Sequence, residues 1–120
     1  MTLDTALRER KDAIRKQAHA NRNAQENKDE LSRRIVGAFM SLPEYATAQT
    51  VMFYIDVRSE VRTRHDLELA LQSGKSIVVP WCNVDGDLEL FRLDAMHELE
   101  IGMYKILEPR AELRDLTEKQ

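Results

Sequence analysis

Lys11 and Arg15 stand four residues apart in the stretch RKDAIRK, so on a helix their charged ends leave one face about a turn apart. Two cations at that spacing suit a polyphosphate, because arginine offers a planar fork of donors and lysine a movable point charge. The same spacing also describes an ordinary solvated helix face, and Arg8, Arg10 and Lys16 are read that way. Glu60 follows the apolar run VMFYI in a polar loop. Ligands of open α/β sheets collect beyond the carboxyl ends of strands, so a carboxylate there faces either solvent or a ligand. Thr63 reads as the cap of the next helix. His19, His65 and His97 lack metal-site spacing, and Cys82 has no general-base partner, so it reads as a small, semi-buried thiol. Asp85 and Asp87 fit a turn better than a magnesium site.

These residues need elements to position them. From about Asp4 to Asn21 the chain is rich in helix formers, with Leu7, Ile14 and Ala18 at helical spacing. A second helix carries Leu31, Ile35, Phe39 and Leu42 as its apolar stripe, and Pro43 ends it. Thr50 to Ile55 is almost uninterrupted apolar sequence, the pattern of a strand buried on both faces in a parallel sheet. Arg64 to Ser73 reads as a helix with Leu67, Leu69 and Leu71 available for packing, stopped by Gly74. Ser76 to Pro80 reads as a second strand, and Asp85-Gly86 as a hairpin turn. The tail RAELRDLTEKQ is charged, helical or frayed. The expected fold is one α/β domain over residues 1–120, an open, mostly parallel sheet layered with helices, with the Thr50 to Ile55 strand central and parallel to Ser76 to Pro80.

Composition narrows the function classes. The 120 residues include 42% hydrophobic residues and only four Gly and three Pro, an ordinary globular balance. Residues 1–34 hold nine Lys or Arg against six Asp or Glu, whereas the remainder holds nine against fifteen. An acidic body argues against a nucleic-acid partner, and leaves the basic first segment for a smaller anion. A single cysteine rules out an internal disulfide, and with no apolar run long enough to span a bilayer the expectation is a cytoplasmic protein without a membrane partner.

The order VMFYIDVRSEVRT, GKSIVVP, GMYKILEP, preceded by RKDAIRK, resembles the 5-formyltetrahydrofolate cyclo-ligase family, also called methenyltetrahydrofolate synthetases. The resemblance runs over nearly all of the chain. It implies a Rossmann-like fold of the isomerase and CoA-transferase type, and ATP- and magnesium-dependent conversion of 5-formyltetrahydrofolate to 5,10-methenyltetrahydrofolate. Lys11 and Arg15 match its ATP-contacting pair, Glu60 its folate-binding glutamate, and Ile55 an apolar residue of the same pocket. Trp81 could stack on a pterin, although packing at a strand end explains it better. The family's glycine-rich phosphate loop and magnesium ligands have no counterpart in these residues. The expectation is therefore the N-terminal portion of a longer enzyme, carrying part of the site and inactive alone. The rivals are a shortened, non-catalytic binding or interaction module, and a relative of the isomerases or CoA-transferases.

Overall fold

The computed structural model describes residues 2–102 and 105–120; Met103 and Tyr104 of the GMYKILEP segment lie outside the described residues. Helix α1 (Leu3–Ala24) begins at Thr2, whose hydroxyl accepts from the Thr5 amide at 3.2 Å. It buries none of its residues and leaves Leu3, Leu7 and Ile14 in solvent. Helix α2 (Lys28–Met40) packs through Ser32 and Val36, so the buried face lies one position off the expected Leu31, Ile35, Phe39, Leu42 stripe. Ile35, Phe39 and Leu42 are exposed. Pro43 does not simply end this helix; it occupies the first turn of α3 (Pro43–Thr47), where its missing N–H is no loss.

Strand β1 (Thr50–Met52) pairs in parallel with β2 (Ser76–Cys82), in the register Thr50 to Ser76, Val51 to Ile77 and Met52 to Val78. Helix α4 (Arg64–Leu71) joins them, and Gly74 takes the left-handed φ of +84° that turns the chain into β2. Strand β3 (Leu88–Leu93) pairs antiparallel with β2 over six residue pairs. The turn between them puts Gly86 at φ +85°, and the Asn83 side-chain oxygen accepts from the amides of Asp85 and Asp87, both at 3.0 Å.

This corrects the expected sheet in three ways. The order is β1-β2-β3, so β2 is central and β1 an edge. The sheet is mixed rather than mostly parallel, because the Asn83–Asp87 turn folds β3 directly back on β2. Nor is β1 buried on both faces: Val51 and Phe53 face the core while Met52 and Tyr54 are 59% and 44% exposed. On α4, Leu67 and Ala70 are buried, but Leu69 points to solvent.

The core is Val51, Phe53, Leu67, Ile77, Val79, Phe91 and Leu93 with Val36 and Tyr45 against it. A second, two-stranded sheet pairs β4 (Leu99–Ile101) with β5 (Leu107–Pro109), leaving Ile106 and Leu107 half-buried. The tail is not frayed. Two 3-10 turns, Ala111–Leu113 and Thr117–Lys119, bring Lys119 back to Asp94 and Glu98 beside β3. Among the described residues no helix is long and apolar enough to cross a membrane.

Candidate functional site

Asp56 builds the loop after β1. It is 3% exposed, and its Oδ1 accepts from the amides of Thr63 at 3.0 Å and Arg64 at 3.2 Å, the unsatisfied donors at the start of α4. The Arg64 guanidinium lies 3.3 Å from its Oδ2. Thr63 is thus not the cap. Its backbone is helical, its hydroxyl donates to the Tyr54 carbonyl at 2.6 Å, and the aspartate seven residues upstream supplies the capping oxygen. The Tyr54 hydroxyl closes the same loop on the Val61 carbonyl at 2.6 Å, and the Arg62 amide donates to the buried Ser32 of α2 at 2.9 Å.

Glu60 sits half-buried in the middle of this loop. Its Oε1 accepts from the Val57 amide at 3.0 Å, and its own amide donates back to the Val57 carbonyl. One carboxylate oxygen therefore holds the loop. Arg58, two residues before, is held at φ +53°, the left-handed region that few residues other than glycine adopt. Ile55 is half-buried, packed against the core at the end of the extended run from β1.

Lys11 and Arg15 share one exposed face of α1 with Asp4, Leu7 and Arg8. Arg15 makes a loose, solvent-exposed pair with Asp12 at 3.6 Å, too screened to hold either side chain. The helix meets the Glu60 loop at its other end: the Arg22 Nε donates to the Ser59 hydroxyl at 2.9 Å, and Arg22 Nη2 lies 3.2 Å from His19 Nδ1. With a rise of about 1.5 Å per residue, Arg15 stands roughly 10 Å and Lys11 roughly 16 Å along the helix from Arg22. The four residues expected at the site thus fall into two groups, Ile55 with Glu60 and Lys11 with Arg15, laid end to end.

At the end of β2, Trp81 is stacked under the Arg114 guanidinium, 4.5 Å from the ring centre. Glu108 holds that arginine at 2.8 Å, and a Cβ on Gly102 would meet the Glu108 carboxylate and push that side chain aside. Trp81 therefore packs as expected. Cys82 is exposed rather than semi-buried. Among the described residues no three His, Cys, Asp or Glu side chains converge on a metal position, and Asp85 and Asp87 are turn residues.

Asp56, Arg22 and Ser59 escaped the reading of the sequence. The only local hint is that Asp56 ends an apolar strand run, where a carboxylate is out of place unless it accepts hydrogen bonds.

Burial alone pushes the Asp56 carboxyl up, but the amides of Arg64 and Thr63 and the Arg64 guanidinium outweigh it and hold the group below its usual range. Glu98 behaves alike: burial opposes ionisation, and Lys119 with the Asp94 and Ala95 amides overcomes it. A carboxyl depressed in the folded state contributes stability that is present above its unfolded pKa, near 4, and lost as pH falls through the folded value. Urea unfolding should therefore give a flat stability above about pH 5.5 and a decline below pH 4. Asp56→Asn and Glu98→Gln should each lower the plateau and reduce the acid slope; an unchanged slope in both would contradict the assignment.

Comparison with known proteins finds one family. The profile of the 5-formyltetrahydrofolate cyclo-ligase family matches residues 4–120. A probable 5-formyltetrahydrofolate cyclo-ligase of Schizosaccharomyces pombe is 28% identical over 83 residues, 68% of this chain and 41% of that protein. The NMR structure of Aquifex aeolicus 5,10-methenyltetrahydrofolate synthetase superposes with a TM-score of 0.71 at 26% identity, covering 82% of this chain and 51% of that one. The chain spans about half the length of these relatives.

Proposed function

Because the chain belongs to the 5-formyltetrahydrofolate cyclo-ligase family, we propose that it carries part of a site that closes 5-formyltetrahydrofolate to 5,10-methenyltetrahydrofolate at the expense of ATP. In this reading Lys11 and Arg15 hold ATP phosphates, and Glu60 with Ile55 holds the formylated pterin. The observation that carries it is the Arg22–Ser59 hydrogen bond, which fixes the helix bearing the two cations to the loop bearing the carboxylate.

The formamide oxygen is a poor leaving group, so it attacks the terminal phosphorus of ATP and ADP departs. The second folate nitrogen then attacks the activated carbon, and phosphate leaves with the formyl oxygen. This chain's contribution is alignment and positive charge, the two terms that dominate phosphoryl transfer. Magnesium, implied by the family, finds no matching ligand set among the described residues.

Two surfaces support the division of the site between these residues and further polypeptide. Strand β1 is an edge flanked by exposed Met52, Tyr54, Ile35 and Phe39, and α1 buries none of its own residues. Exposed strand edges and apolar stripes of this kind are covered in a working protein.

Binding separates the two groups. Lys11→Ala and Arg15→Ala should each weaken ATP binding roughly ten- to a hundredfold, the cost of one charge-assisted phosphate contact, with unchanged thermal stability because both sites are exposed. Glu60→Gln keeps an oxygen for the Val57 amide but loses the charge, so it should weaken 5-formyltetrahydrofolate and spare ATP. Calorimetric titration of both ligands tests this, and unchanged affinities would return the three residues to solvated surface. The 120 residues alone should form no methenyltetrahydrofolate; ATP-dependent turnover by them would refute the divided site.

A further inference from the structure

Lys11, Arg15, His19 and Arg22 fall at successive intervals of four, four and three along α1, the spacing of one helix face. This row runs from the proposed nucleotide pair down to the loop of Glu60. At its lower end a cavity of about 340 Å³ brings together His19, Arg22, Asn23, Arg58, Ser59 and Glu60. In the reading above Lys11 and Arg15 hold the nucleotide and Arg22 only ties the helix to the loop, so no ligand contact falls to the lower half of the row.

We propose that Arg22, assisted by His19, binds the terminal phosphate of the nucleotide and delivers it beside Glu60. This deepens the ATP reading of Lys11 and Arg15 and rests on it. That reading requires the phosphate chain to travel from the upper cations to an acceptor held near Glu60, and the helix rise puts Arg22 about 10 Å below Arg15 in that direction. Arg22 is half-buried and oriented before any ligand arrives. Of its five donor hydrogens, one goes from Nε to Ser59 and one from Nη2 to His19, leaving the rest of the fork for an anion. Arginine cannot accept, so His19 Nδ1 is the acceptor, and its Nε2 carries the hydrogen and is a second donor on the same face. Arg22 and Arg58 line the cavity against the single acidic residue Glu60, so its balance of charge favours an anion. The Glu60 oxygen nearest the loop is already committed to the Val57 amide, which limits repulsion.

ATP and ADP tell an upper from a lower contact. In the unaltered chain ATP should bind more tightly than ADP, by roughly tenfold or more for one charged contact. Arg22→Gln should bring ATP down to the ADP affinity and leave ADP itself unchanged, whereas Lys11→Ala should weaken both nucleotides. His19→Ala, at an exposed position that cannot unfold the chain, should narrow the ATP-to-ADP ratio by a few-fold. Ser59→Ala removes the tie but not the cation, and should preserve the ratio. If Ser59→Ala abolishes it as fully as Arg22→Gln, Arg22 only positions the loop and the proposal is overturned. If the ratio survives in Arg22→Gln while Lys11→Ala weakens both ligands, the proposal fails and the ATP reading stands. If Lys11→Ala changes neither nucleotide, or neither binds, both fail together.

Discussion

Asp56→Ala is expected to lower the unfolding free energy by about 3 kcal/mol and Tm by roughly 10 °C. The carboxylate serves as a helix cap placed eight residues ahead of the helix it caps, accepting from the Thr63 and Arg64 amides while pairing with the Arg64 guanidinium. Loss of a cap costs about 1 kcal/mol, and loss of buried charge-assisted bonds about 1.5–3 kcal/mol more, partly shared with the first. Asp56→Asn retains an oxygen for the two amides and loses only the charge, so it should cost about half as much. The damage should also be local. Amide exchange ought to quicken across Val57–Arg62, and 5-formyltetrahydrofolate should bind less tightly than to the parent, because Glu60 is displayed by the loop that Asp56 closes. Alanine and asparagine variants that both melt within about 2 °C of the parent would show that Thr63 or solvent caps α4 instead.

What the sequence disclosed and what it hid divides along sequence separation. Helix α1 was legible because its apolar and basic residues repeat within a few positions, and the turn at Gly86 because the required backbone is encoded by two adjacent residues. Lys11 and Arg15 were readable as a pair for the same reason, and their grouping on one face stands. The position of β1 was not readable. An uninterrupted apolar run marks a strand whose second face is covered, but it does not say by what, and in these residues Met52 and Tyr54 remain open at an edge. Contacts that cross the chain were invisible for a stronger reason. Arg22 meets Ser59 across 37 positions, and Ser32 meets Arg62 across 30, with no periodicity to announce either. The loop that carries Glu60 is tied to α1 and α2 by such contacts, so the glutamate could be named from its likeness to a family while those ties could not.

The tail supplies a loss of the same size. Lys119→Met should destabilise the protein by about 3 kcal/mol, the lower end of the range for breaking a buried ion pair, since Asp94 on its other side is exposed. Methionine keeps an unbranched stem over the Phe91 ring, 5.6 Å from which the ammonium now sits, so the effect isolates charge from packing. Removing the ammonium leaves the buried Glu98 carboxylate with only the Asp94 and Ala95 amides as partners. Glu98→Gln makes the complementary change: its side-chain oxygen still serves those amides, while Lys119 is left with Asp94 alone. If the pair is what holds the closing turn Thr117–Lys119 against β3, the double variant should lose at least 1 kcal/mol less than the two single losses combined. The pH profile adds a second signature, because Glu98 and Asp94 hold the Lys119 ammonium above its usual range against the opposing effect of burial. A cation raised in the folded state contributes below its unfolded pKa and fades as pH climbs past about 10.5; Tyr45 and Tyr54, also held above their usual range, titrate in both proteins, so the parent should weaken more steeply in alkali than Lys119→Met. Strictly additive losses, with parallel alkaline profiles, would mean that the tail is held by its apolar contacts and that the ion pair merely accompanies them.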